Sequence, residues 1–163
     1  MNEQEKRQRR CCFTGHRPEK LRTNEATVNQ KLEKEIRQAL NDGMNVFITG
    51  MSRGVDIWAA MIVLKLRDEN PDIKLICACP HPGFEKRWNK DWQDKFNYIL
   101  DNADYTVTIS NSYSRSCYQT RNKWMVNHSK RVIAVFSGEK SGTKNTIDYA
   151  LSHSVEVKII FIN

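Results

Sequence analysis

RVIAVFSGEKSGTKNTIDYAL, residues 131–151, is the stretch that decides the fold. Val132-Ile133-Ala134-Val135-Phe136 is an unbroken apolar run, the pattern of a parallel strand covered on both faces. Ser137 to Thr143 is a loop with two glycines, Gly138 and Gly142. A helix is predicted from about Thr143, because Ile147, Ala150 and Leu151 fall on one face at helical spacing. A strand, a glycine loop and a helix N-terminus bring free backbone amides and the positive end of the helix dipole to one point, which suits a phosphate. A plain strand-to-helix turn uses glycines equally well, so the rest of the chain carries the argument.

Working outward, Cys11 to Thr14 reads as a first strand, ended by Gly15-His16-Arg17-Pro18. A helix follows from about Glu25 to Asn41, with Val28, Leu32, Ile36, Ala39 and Leu40 as its apolar stripe and Gly43 beyond its end. Val46 to Thr49 is a second strand. The helix after it shows Val55, Trp58, Ala59, Ile62, Val63 and Leu66 on one face and stops at Asn70-Pro71. Ile73 to Cys79 is a third strand, and a long helix is predicted from Phe84 to about Leu100. Its stripe, which includes Trp88 and Trp92, reads as core rather than as a platform for bases. Tyr105 to Ile109, a helix from about Tyr118 to His128, and an edge strand over Val155 to Ile162 complete the pattern. About six strands alternating with helices predict an α/β, Rossmann-like, doubly wound and mainly parallel sheet with helices on both faces. Residues 1–10 read as a basic, flexible leader and 11–163 as a single domain.

In such a sheet the ligand cleft lies at the carboxyl ends of the strands. There the sequence places Gly15, His16 and Arg17, then Gly50, Gly54 and Asp56, then His81, then Arg121, and finally Gly138, Gly142 and Thr143. Each residue also has a structural role open to it. The glycines permit tight turns, Asp56 near a helix start suits the dipole as well as a ribose, and His16 and His81 could serve as structural hydrogen-bonders. Neither glycine loop fits G-x-G-x-x-G or the P-loop pattern, which argues against a standard nicotinamide or ATPase site. Cys77, Cys79 and His81 lie close in sequence, but both cysteines fall in a buried strand and no second pair has zinc spacing, so no metal is expected.

The net charge of +7 is unevenly placed. No acid occurs between Asp104 and Glu139, whereas Arg115, Arg121, Lys123, Lys130 and Arg131 lie in that interval. An anionic partner, nucleotide or nucleic acid, fits this distribution. The five cysteines read as buried thiols, and no segment has the ~20 apolar residues of a membrane helix. A cytoplasmic protein without membrane contact is expected, and a homo-oligomer is compatible with the chain.

Several of these motifs, taken in order, resemble a known family. They are Phe13-Thr14-Gly15-His16-Arg17-Pro18, the run from Gly50 to Ala60, Pro80-His81-Pro82-Gly83-Phe84, Arg121 to Met125, and Ser137-Gly138 with Gly142-Thr143. They resemble the YpsA-like branch of the SLOG superfamily, which also holds the LOG phosphoribohydrolases and DNA-processing protein A. The resemblance implies a Rossmann-like domain for nucleotides or nucleotide derivatives, with Gly138, Gly142 and Thr143 matching the phosphate loop. Arg121 and Met125 match the arginine-bearing helix, and Gly50, Gly54 and Asp56 match the second glycine motif. The chain departs from LOG hydrolases at Thr146, which stands where they carry a glutamate. The expectation is a binding module for a small nucleotide-type ligand, with a sensing or signalling role and no other cofactor. The alternatives are N-glycosidic hydrolysis using Glu139 or Asp56, and binding of single-stranded nucleic acid.

Overall fold

The computed structural model describes residues 1–162. Its elements in chain order are α1 (Glu3–Arg7), β1 (Arg10–Gly15), a 3-10 turn (Pro18–Lys20), α2 (Glu25–Asn41), β2 (Val46–Thr49), α3 (Val55–Glu69), β3 (Lys74–Cys79), α4 (Lys90–Asn102), β4 (Tyr105–Thr108), α5 (Cys117–Asn127), β5 (Arg131–Phe136), α6 (Gly142–Ser152) and β6 (Glu156–Phe161). The six strands form one sheet in the order β4-β3-β2-β1-β5-β6, and every neighbouring pair is parallel. The fold is the expected α/β, Rossmann-like one.

The two-residue period of the strands sorts the core into two layers. Cys11 and Phe13 of β1 face a cluster with Val28, Leu32 and Ile36 of α2 and the apolar residues of α3 and α4. Cys12 points the other way, toward Met125 and Val126 of α5 and Ala150 of α6. A right-handed crossover explains the split. From β1 to β4 the chain steps in one direction and lays α2, α3 and α4 on one face. It then jumps back past β1 to β5, so α5 and α6 fall on the other face. The reversal lies between β1 and β5, where Cys11 pairs with Arg131 and Gly15 with Val135. All six residues of β5 are buried, five of them the predicted apolar run and the sixth Arg131. The helix α3 is buried nearly all round because it sits between the sheet and both α2 and α4.

One sequence expectation is corrected, and one segment gains a helix. Within the leader, residues 3–7 form α1, closed by a capping box between Asn2 and Glu5. Arg7 Nε ties this helix to the body by donating to the Ser129 carbonyl at 3.1 Å. The long helix begins at Lys90 rather than at Phe84. Asn89 is its N-cap, accepting from the Trp92 amide, and Gly83 ahead of it has φ +76°. Phe84 to Trp88 is therefore a chain of turns that keeps the apolar spacing of a helix without its axis. Other boundaries differ by a residue or two at most, for example β3 at Lys74 and α6 at Gly142.

Candidate functional site

A cleft of about 250 Å³ opens at the carboxyl ends of β1 and β5, at the point where the strand order reverses. One wall is the start of α6. Ser141 caps this helix by accepting from the Lys144 amide at 3.1 Å, and the first-turn amides of Gly142 and Thr143 have no acceptor within the helix. Both residues line the cleft. A Cβ built on Gly142 meets nothing within 4 Å, so the approach to those amides is open.

The floor is the β1 end. Gly15 packs so closely on α3 that a Cβ there would lie 2.5 Å from Val55 Cβ. His16 is buried, and its Nε2 accepts the Ser137 amide at 3.1 Å while the ring stacks on Phe136. An accepting Nε2 fixes the neutral Nδ1–H tautomer, and burial holds the imidazole below its ordinary pKa. His16 thus pins the β5 loop to the β1 loop. Arg17, beside it, is exposed and lines the cleft.

Opposite α6 stands the start of α3. Gly54, at φ +92°, turns the chain so tightly against the first loop that a Cβ would meet the His16 carbonyl at 2.8 Å. Asp56 follows in the first turn, only 6% exposed. Its Oδ2 accepts the Ser52 amide at 3.3 Å, and its Oδ1 has no hydrogen-bond partner among the described residues. Burial pushes the carboxyl up to about 6, with Arg121 opposing the shift. Arg121 is itself buried, which lowers its pKa. Its guanidinium donates to the carbonyls of Gly50 and Ala78 and to Ser52 Oγ, and its Nε donates to Asn122 Oδ1 at 2.8 Å. A Cβ on Gly50 would sit 2.8 Å from both the Arg121 Cζ and Asp56 Oδ2, so that glycine is the space in which acid and base lie side by side.

Of the residues singled out from sequence, Gly15, His16, Arg17, Asp56, Arg121, Gly142 and Thr143 line the cleft. Gly50 and Gly54 shape it from behind. Gly138, at φ +96°, turns the β5 loop without lining the cavity. His81 stands apart, its Nδ1–H donating to the Pro82 carbonyl at 2.9 Å and its ring edge-on to Phe84, Tyr113 and Tyr118. Glu139 is exposed and faces Arg22 at 3.4 Å, outside the cleft lining. The Thr146 hydroxyl is spent on the Gly142 carbonyl at 2.9 Å. Sequence reasoning passed over Lys20, Ser52, Tyr118, Asn122 and Ser141, all of them in the lining. One had a visible signal: Tyr118 lies three residues before Arg121 on the same helix, so the two share a face. No helix among the described residues is long and apolar enough to cross a membrane, and no cluster of His, Cys, Asp or Glu among them has the makings of a metal site.

A parallel sheet with one reversal, and a cleft at that reversal bounded by a helix N-terminus, defines a Rossmann-like α/β protein. The family model described as the YspA SLOG family matches residues 11–162, and the chain belongs to that family, the YpsA-like branch of the SLOG proteins. Among curated relatives, it is 27% identical to a UPF0398 protein of Ligilactobacillus salivarius over 126 residues, covering 76% of this chain and 68% of the relative. It is 33% identical over 116 residues to the SPbeta prophage-derived protein YoqJ of Bacillus subtilis, covering 64% of this chain and 68% of that one. In fold it is similar to DNA processing protein A from Streptococcus pneumoniae, with TM-score 0.69 and 19% identity over 93% of this chain and 50% of the other. It is also similar to DNA processing protein A from Helicobacter pylori, whose structure describes a single-stranded DNA binding mode. There the TM-score is 0.65 at 17% identity, over 96% of this chain and 66% of that one. The chain thus spans half the length of the first solved neighbour and about two thirds of the second.

Proposed function

We propose that the cleft binds a nucleotide or nucleotide derivative and that the domain serves as a sensor or signalling module. The observation that carries the reading is a single cleft lined both by the open first-turn amides of α6 and by buried Asp56, one of whose carboxylate oxygens has no hydrogen-bond partner among the described residues. A buried acceptor without a donor is costly, so a ligand that supplies an O–H or N–H there gains more than the bond alone. A ribose hydroxyl supplies it while the phosphate of the same molecule sits on the Gly142 and Thr143 amides. Arg17, Lys20 and Arg121 add positive charge around the phosphate. The test is a thermal-shift series with nucleoside phosphates, dinucleotides and ADP-ribose derivatives. Stabilisation should grow with ligand concentration, reaching about 2.7 kcal/mol at a hundredfold excess over Kd. Gly142→Leu should melt like the parent and lose that stabilisation, because its side chain has room to project over the amides. Undiminished stabilisation in this variant would remove the site from the reading.

One observation favours an enzymatic alternative. A carboxyl held near 6 in a cleft is suited to act as a general acid, here in N-glycosidic cleavage. Release of free base from nucleoside monophosphates, abolished in Asp56→Asn, would establish that activity. Against it stands the placement of the other acid candidate, Glu139, whose carboxylate faces Arg22. Nucleic-acid binding is the further alternative. Its support is the shared fold with the Helicobacter pylori protein, and its test is set by salt dependence.

A further inference from the structure

We propose that a groove over α3, on the face of the sheet covered by α2, α3 and α4, joins two copies of this chain, with the two-fold axis running along those helices. The groove shares no lining residue with the cleft, and the proposal does not depend on what the cleft binds.

The groove has a volume of about 530 Å³, and its floor is Ala26, Trp58, Met61 and Ile62. The layering explains why that floor is apolar. Packed against the sheet, α2 and α4, the helix α3 is buried from Val55 to Leu66 except at Met61 and Lys65. A helix ordinarily shows polar residues where it meets water. Here the outward position one turn before Lys65 is a methionine, 36% exposed. A lone exposed methionine would be ordinary. This one continues into the edges of Trp58 and Ile62 and into Ala26, which is exposed on α2.

The two rims say what covers the floor. The charged residues that α2 supplies are acids, Glu25 and Glu33, whereas those of α3 and α4 are bases, Lys65 and Lys95. Glu33 meets Arg37 on its own helix at 3.1 Å, a solvent-exposed pair of little strength. Lys95 lies over the Trp92 ring, 4.7 Å from its centroid. A surface that is acidic along one side and basic along the other is complementary to itself under one operation. Rotation by 180° about an axis along the groove lays the acidic rim of each copy on the basic rim of the other and brings the two apolar floors together. Rotation about an axis across the groove would lay acid on acid, so the charges select the first axis. A nucleic acid or a uniformly charged peptide would be repelled by one rim. Because crossover helices run antiparallel to the strands they connect, this axis keeps the two clefts at the same end of the dimer.

The experiment is sedimentation equilibrium of the full chain over a range of concentrations. The natural chain should show a monomer–dimer equilibrium that weakens as salt rises. Lys65→Glu combined with Lys95→Glu should weaken the dimer by on the order of tenfold or more, and so should Glu25→Lys combined with Glu33→Lys. Mixed together, these two variants should form a heterodimer, since one then has two acidic rims and the other two basic ones. Misfolded chains would not recover association in this way. Met61→Asp, which charges the floor and leaves both rims intact, should also dissociate the dimer. A natural chain that stays monomeric at millimolar concentration would overturn the proposal. So would a dimer indifferent to both reversals and to Met61→Asp, because its interface would lie elsewhere.

Discussion

At the scale of single residues, the unusual state of Asp56 follows from what its neighbour Arg121 is doing. The guanidinium is committed to main-chain carbonyls and to Ser52 and Asn122, so it moderates the carboxyl's burial without cancelling it. The folded pKa, about 6, lies above the ordinary 3.8. Between those values the folded state binds more protons than the unfolded chain, and stability therefore falls as pH rises through that window. At about 1.4 kcal/mol per pKa unit the loss is on the order of 3 kcal/mol by pH 7. Asp56→Asn carries no such charge. In the absence of ligand it should be more stable than the parent at pH 8, with the difference shrinking toward pH 4, as read by denaturant titration. A difference that stays constant across this range would mean that the buried carboxyl titrates as it does in an unfolded chain. The same substitution should weaken ligand binding, since one of the two carboxylate oxygens becomes an NH2 donor and the remaining oxygen is drawn to the Ser52 amide.

At the scale of elements, the two helix starts that face each other across the cleft are built by different means. At α3 a glycine is required by conformation and by space: Gly54 has φ +92° and lies against the His16 carbonyl and Pro18. At α6 the start is set by the Ser141 cap, and Gly142 has neither a left-handed backbone nor a close neighbour. Gly54→Ala should therefore cost on the order of 2–3 kcal/mol and loosen the joint between the first two loops. Gly142→Ala should be neutral, or stabilising by up to ~1 kcal/mol. Equal effects in chemical denaturation would show that the loops are not locked as described. The late start of α4 belongs to the same scale. Phe84, Trp88, Trp92, Phe96 and Ile99 keep helical spacing from end to end, yet Asn89 starts the helix in the middle of the stripe. Periodicity reports which side chains face the core, and only capping and backbone geometry say where the axis begins.

For the whole molecule, the question is whether the basic surface serves one small ligand or a nucleic-acid chain. A mononucleotide presents one phosphate to the cleft, whereas a strand following the surface would engage several cations, each contact adding to the salt slope. If the pocket reading holds, affinity for the best mononucleotide should fall only modestly between 50 and 200 mM salt. Tight binding of a single-stranded oligonucleotide that drops by on the order of a thousandfold over that range would favour the nucleic-acid reading instead. Either ligand would enter at the same end of the sheet, because the reversal between β1 and β5 leaves the crevice there.

What the sequence determined alone was the alternation of elements, and with it the parallel sheet. A strand with five consecutive apolar residues such as β5, followed by a glycine loop and an amphipathic helix, has few other ways to hide its surface on both faces. The same local signals placed Gly15, His16, Arg17, Asp56, Arg121, Gly142 and Thr143 at strand ends, and these seven meet in one cleft. Tertiary structure decided what those side chains do once there. His16 becomes a clamp because Ser137, 121 positions away, brings it an amide. His81 and Glu139 leave the site because aromatic rings and Arg22 hold them elsewhere. Asp56 is left with an empty acceptor because Arg121 is spent on carbonyls of two other strand ends. Burial, partner choice and pKa arise from contacts between distant parts of the chain, and no local pattern of residues encodes them.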